Sequence, residues 1–192
     1  MTTTTKTKKT KIEKPIEDLP SNPFVFEILT LASQQRTNAK KVEVLKKYEH
    51  DCLKAIFIWN FDDSVISLLP EGDVPYASAG EQTSYSGTLS GKIDDAVSKM
   101  DEIGTKSLGA TDQGKSSIRK EFHMFYNFVK GGNSGLSSLR RETMFINILQ
   151  GLHPLEAEIV CLVKDKRLTN KYKISFENVK EAYPDIVWGG RS

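Results

Sequence analysis

The chain has 192 residues, of which 38% are hydrophobic and 27% charged, a balance that suits one globular domain. No apolar run approaches the roughly 18–20 residues that span a bilayer, and the opening MTTTTKTKKTKIEK lacks the apolar stretch of a secretory signal. The net charge of +2 divides into +4 over residues 1–14, −7 over 15–114 and +5 over 115–192, which is not the uniformly basic body of a dedicated nucleic-acid binder.

Residues 1–20 are rich in Thr and Lys and contain Pro15 and Pro20. They hold too little apolar surface to offset the entropy of ordering and are expected to be disordered. Order is expected to begin at SNPFVFEILTLAS, with Asn22 as a helix cap, Pro23 in the first helical position, and Phe24, Ile28 and Leu31 at helical spacing. NAKKVEVLKKYE places Val42, Leu45 and Tyr48 on one stripe. In DCLKAIFIWNF, Asp51 reads as a cap, and Leu53, Ile56, Phe57 and Asn60 share a face. DDSVISLLPEG reads as a short helix stopped by Pro70 and Gly72.

Residues 71–114 are rich in Gly, Ser, Thr and Ala and read as a flexible insert. Within them LSGKIDDAVSKMDEI keeps Leu89, Ile93, Val97 and Met100 at helical spacing. KSSIRKEFHMFYNFVKGG carries the clearest helical pattern, with Ile118, Phe122, Phe125, Tyr126 and Val129 on one face and Gly131 and Gly132 ending it. NSGLSSLRRETMFINILQG is the next helix, with Leu136, Leu139, Ile146 and Leu149 inward and Gly151 closing it. In HPLEAEIVCLVKDKRL, His153 takes the cap position and Pro154 the first helical position. Glu156 suits the helix dipole, Leu155, Ile159, Leu162 and Val163 form the buried stripe, and Lys164, Lys166 and Arg167 gather at the C-terminal end. KYKIS reads as a short extended piece. A last helix begins at Ser175, buries Phe176, Val179 and Tyr183, and stops at Pro184. The fold class is therefore mainly α: a compact multi-helix domain over 21–192, interrupted at 71–114, behind a basic tail.

Chemical motifs are sparse. Cys52 and Cys161 are far apart and belong to no CxxC or Cys–His cluster, so two buried free thiols in a reducing cytoplasm are expected rather than a zinc site. His153 has the right chemistry for a general base, but helix entry accounts for it; His50 and His123 show no ligand spacing with it. VKGGNSG lacks the strand and GxxxxGK[ST] of a phosphate loop, and SYSG is no nucleophile elbow. Roughly ten residues, KDKRLTNKYK, separate the last two helices, too many for a helix-turn-helix. Ile186, Val187 and Trp188 follow the last stop signal, either tucked against the core or offered to a partner.

FEIL at 26–29, KKVEVLKKY at 40–48, LLPEGDVPY at 68–76, FVKGGNSGL at 128–136 and the block LRRETMFINILQGLHPLEAEIVCLVKDKRL at 139–168, followed by KYK and EAYPDIV, resemble a family of uncharacterised proteins of tailed bacteriophages, especially large contractile-tailed phages of marine bacteria. That family typically has a Leu-Pro-Glu-Gly turn followed by Pro-Tyr at 69–76, and the stretch 77–114 is longer here than is usual in it. The resemblance implies a phage origin and brings no catalytic residue with it.

The expectation is a non-enzymatic phage accessory protein. It would act in the host cytoplasm through contacts with a phage or host protein, on replication or transcription machinery, with no cofactor, metal or membrane. The residues singled out for contact are Lys164, Lys166, Arg167, Lys171, Lys173 and Trp188. The alternative is a nucleic-acid-binding module that uses the lysine tail and the 164–173 loop. An enzyme would need His153 or His123 to meet an acid in a pocket, and a virion component is a further possibility.

Overall fold

A computed structural model describes residues 18–75, 87–103 and 114–191. The expected tail, apart from its last residues, and much of the expected insert lie outside them. The described chain is mainly α-helical, as its periodicity predicts. In order come α1 (Val25–Gln34), α2 (Asn38–Lys47), α3 (Asp51–Phe61), α4 (Leu89–Ile103), α5 (Ile118–Glu121), a 3-10 helix (Phe122–Phe128), α6 (Ser138–Gly151), α7 (Pro154–Lys164), a 3-10 turn (Leu168–Asn170) and α8 (Phe176–Ala182). No strand occurs among the described residues; two isolated bridges join Ser67 to Val129 and Ser116 to Leu152.

Local caps set most helix starts. Thr37 accepts the Lys40 N–H, Ser137 the Arg140 N–H, and Ser175 and Asn178 form a reciprocal capping box at α8. His50, not Asp51, caps α3: its Nδ1 accepts the Cys52 N–H at 3.0 Å. At α1 the cap is Phe24 rather than Asn22, and the Glu27 carboxylate reaches back to the Phe24 N–H at 2.8 Å.

Helix α7 lies at the centre, packed against α1, α3, α4 and α6, while α2 joins α1 to α8. The Tyr183 hydroxyl, fully buried, donates to the Leu45 carbonyl at 2.8 Å and ties α8 to α2. Helix α4, the expected weak helix of the insert, buries all four of its periodic residues, Leu89, Ile93, Val97 and Met100, largely against α7. That part of the insert therefore belongs to the core. KYKIS is not the extended piece its sequence suggests: Lys171 closes the 3-10 turn in the αR region and the Ile174 N–H bonds back to the Tyr172 carbonyl at 2.8 Å, with Tyr172 and Ile174 buried and Lys173 exposed.

Two expected helices do not form as drawn. Residues 62–72 form no helix: the Val65 N–H closes a turn on the Asp62 carbonyl at 3.0 Å, and Ser67 then bridges to Val129. The Asp62 carboxylate takes the Ser64 N–H at 2.9 Å just past α3, and Leu68 and Lys130 exchange backbone bonds with Phe128 and Ile66, both at 2.8 Å. The expected long helix over 115–132 is one α-turn followed by the 3-10 helix. Phe122, Phe125 and Phe128 recur every three residues, the period of a 3-10 helix, whose i and i+3 side chains eclipse. Phe125 and Phe128 face Trp59, with ring centroids 5.3 and 6.2 Å away, and Tyr126 turns outward, 53% exposed. Gly132 follows because a Cβ there would lie 1.8 Å from the Tyr126 carbonyl oxygen.

One buried charge ties these elements together. Glu156, at 0% exposure, accepts the Val25 N–H with Oε1 at 2.8 Å and the Ile118 N–H with Oε2. Both donors are first residues of helices, α1 and α5, so two orphan N–H groups and two positive helix ends meet one carboxylate. Burial pushes its pKa above the ordinary glutamate value, while the two N–H donors and Arg119 pull it back in part. Removing the carboxylate leaves two buried donors unpaired, at about 1–3 kcal/mol each. Glu156→Ala is therefore expected to lower the urea unfolding free energy by roughly 2–5 kcal/mol, and Glu156→Gln, which keeps one acceptor, by less.

Candidate partner-binding face

The six residues that sequence reasoning singles out divide into those turned inward and those left on the surface. Lys164 is turned inward, 3% exposed. Its Nζ donates to the Pro70 and Gly72 carbonyls at 2.7 and 3.1 Å and to Asp165 at 2.6 Å. Asp165 in turn accepts the Gly72 N–H at 3.2 Å, and Arg167 pairs with Glu71 at 2.7 Å on the surface. The LPEG turn and the KDKR stretch thus hold each other. Lys166 has φ 57, the left-handed residue that ends α7, and this turns its side chain onto the C-terminus of α3. There Nζ donates to the Trp59 and Asp62 carbonyls at 2.9 and 2.7 Å, and burial lowers its pKa. Asn60, buried beside it, accepts the Leu168 N–H at 3.0 Å.

Trp188 is engaged as well, standing edge-on to Phe176 with centroids 4.7 Å apart. The segment around it is clasped by Asp62, whose Oδ2 accepts the Gly189 N–H at 2.9 Å and Arg191 Nη1 at 2.6 Å; Arg191 N–H also reaches Ser64 at 3.1 Å. Of the three residues after the last stop signal, Val187 is the one left outside, 74% exposed. Sequence reasoning reads Asp62 as a helix-start acid. Its role as anchor for residues more than 120 positions away has no local signal.

Lys171 and Lys173 line a groove of about 750 Å³ between α1 and the 171–173 segment. Leu19, Phe26, Leu31 and Leu155 supply its apolar surface. Lys173 is exposed, and its backbone is fixed by a bond from its N–H to Ser33 Oγ at 3.0 Å and by the Lys41 ammonium on its carbonyl. Lys171 pairs with Glu158 and lies 6.0 Å from the Tyr172 ring. Lys171 and Lys173 thus line the groove, and Lys41 stands next to Lys173 through its bond to that carbonyl. Glu27, which also lines the groove, has one oxygen committed to the cap of α1.

The histidines have structural surroundings. His153 is 6% exposed; its Nδ1 accepts the Leu155 N–H at 3.1 Å, and its ring lies 4.8 Å from Phe26 and 5.6 Å from Phe24. Burial lowers its pKa. His123 packs edge-on to Phe122. No group of three or more His, Cys, Asp or Glu side chains suited to a metal ion occurs among the described residues. Cys52 and Cys161 are free thiols, and burial pushes both pKa values up, that of Cys161 to about 12. In and beside the VKGGNSG loop, the carbonyls of Asn127, Asn133 and Leu136 converge on the buried Arg141 guanidinium at 2.8, 3.4 and 2.9 Å. No helix among the described residues is long and apolar enough to cross a membrane.

The model of a family of unknown function, DUF6433, matches residues 28–92 and 102–170, and the chain belongs to that family. No curated protein and no solved structure matches it. The matched segments include both halves of the strap between the LPEG turn and the KDKR stretch.

The Asp62 clasp carries a pH signature. Burial opposes its ionisation, but the Ser64 and Gly189 hydrogen bonds and Arg191 outweigh burial and hold the carboxyl below its ordinary 3.8. A depressed carboxyl stabilises the fold above its unfolded pKa, and that contribution is lost as pH falls through the folded one. In a Trp59→Phe background, Trp188 emission should hold steady to pH ~4 and then shift red below it, and Asp62→Asn should show the shifted emission already at neutral pH.

Proposed function

We propose that this member of DUF6433 is a bacteriophage accessory protein that works by binding another protein in the host cytoplasm, as part of replication or transcription control. The phage setting rests on the sequence blocks at 26–29, 40–48, 68–76 and 128–168. The observation that carries the binding role is the groove beside α1, where Lys171 and Lys173 stand over apolar Leu19, Phe26, Leu31 and Leu155, with Lys41 bonded to the Lys173 carbonyl beside them. An apolar floor under a cationic rim is complementary to a protein segment that carries an apolar side chain next to acidic ones. The acidic partner segment gains charge attraction at the rim and loses apolar surface to the floor.

The nucleic-acid alternative is less well supported by this arrangement. Lys164, Lys166 and Arg167 are occupied by the turn at 70–72, the end of α3 and Glu71. Lys171, Lys173 and the neighbouring Lys41 would give a salt slope of only about −2 to −3 on single or double strands.

The test is a pull-down from infected cells with and without nuclease, comparing the natural chain with Lys173→Glu and with Thr30→Glu, a second exposed position in the groove. A protein partner that survives nuclease and drops by about tenfold or more with either substitution is the expected result. Recovery of nucleic acid that vanishes in modest salt, with no protein retained after nuclease, would reverse the reading in favour of the alternative.

A further inference from the structure

A second surface, distant in sequence from the α1 groove, lies where α6 and the 3-10 helix meet. It is a groove of about 710 Å³ lined by Met124, Leu136, Leu139, Met144 and Ile148. Leu139 is 74% exposed, although helical spacing predicts it inward. Met144 and Ile148 lie four residues apart on one ridge of α6 that begins at Arg140, while Leu139 lies on the adjacent ridge with Thr143 and Asn147, and Leu136 precedes the helix. Apolar surface of this kind marks a contact face, and Met124 and Met144 suit it to close packing.

The ends of the ridge carry opposite charges. Arg140 stands in the first turn of α6. Glu121 stands at the other end, because its carboxylate accepts the Ser116 hydroxyl and Ser116 bridges to Leu152, just past the end of α6. Both line the groove, and among the described residues neither takes part in an ion pair. Arg140 and Gly151 are separated by about 16 Å along the helix at 1.5 Å per residue.

A surface that is apolar in the middle, positive at one end and negative at the other is complementary to itself under a two-fold axis. We infer that the α6 ridge is the interface between two copies of this chain, packed antiparallel, with Arg140 of each copy facing Glu121 of the other and Leu139, Met144 and Ile148 between them. Such an isologous contact is the commonest way for identical chains to associate. Two segments of this chain outside the described residues fit this surface poorly. Residues 1–14 carry +4 and would bring lysines beside Arg140, and residues 104–113, GTKSLGATDQ, offer a single leucine as a large apolar side chain. The inference is independent of the α1 groove and holds whether or not that groove binds a partner.

Sedimentation velocity over a concentration series tests it on the full chain. The natural protein is expected to sediment as a dimer that dissociates on dilution. Leu139→Asp, at an exposed position, should weaken dimerisation by more than about tenfold while circular dichroism and melting stay unchanged. Arg140→Glu should also weaken it, and adding Glu121→Lys to that variant should restore much of the loss. Lys173→Glu should leave it intact, which separates this interface from the α1 groove. A natural chain that stays monomeric at its highest soluble concentration would overturn the proposal. So would a dimer that survives both Leu139→Asp and Arg140→Glu, or a double charge swap that rescues nothing.

Discussion

Glu156 exposes none of its surface, and both of its oxygens accept N–H groups from helices that begin elsewhere in the chain. A carboxylate taken out of water is costly unless its lone pairs are met. Here they are met by the first turns of α1 and α5, and those turns are in turn relieved of donors that would otherwise be buried without a partner. The cost of one group is offset by the needs of two others. The arrangement fixes where α1 and α5 start and aims both at α7, around which α3, α4 and α6 then pack.

The far end of α7 repeats the logic with the opposite sign. Lys164 and Lys166 carry ammonium groups to backbone carbonyls, those of the 70–72 turn and those at the end of α3. Cations belong at the negative end of a helix, and Lys166 does this for a neighbouring helix rather than its own. α7 is therefore a bar with an acid at one end and two bases at the other, each used to terminate something else. This is why a stretch that reads as a basic surface loop contributes little free charge. The exposed cation lies further on, at Lys173, next to the buried Tyr172, while Lys171 beside it pairs with Glu158.

Much of the fold was legible because its signals are local. The His-Pro start of α7, the Ser175 start of α8, the closing Gly151 and the periodic residues of α4 each follow from a cap, a breaker or a repeat. The failures are equally physical. FHMFYNF supports a period of 3.6 through Phe122, Phe125 and Tyr126 and a period of 3 through Phe122, Phe125 and Phe128. Only the presence of Trp59 from a distant helix selects the second. On α7 both Leu155–Ile159–Leu162 and Ile159–Val160–Val163 read as apolar stripes. The chosen face includes Glu156 and Lys164, because their partners lie far away in sequence. The α1 groove was half visible: its lysines stood out, but its apolar floor is assembled from three separate parts of the chain.

The Glu156 contacts also set an order of events at the ribosome. Val25 is separated by 131 positions from the carboxylate that caps its helix, and Leu45 by 138 from the Tyr183 hydroxyl that anchors α2 to α8. At ~5–20 residues per second, α1 leaves the exit tunnel on the order of ten seconds before its cap exists. Through that interval α1 has α2 to pack against, and the surface it shares with α7 stays uncovered. The chain is thus one whose first half is held open until its last third is made, and chaperones that shield nascent apolar helices should find their longest-lived target in residues 25–61.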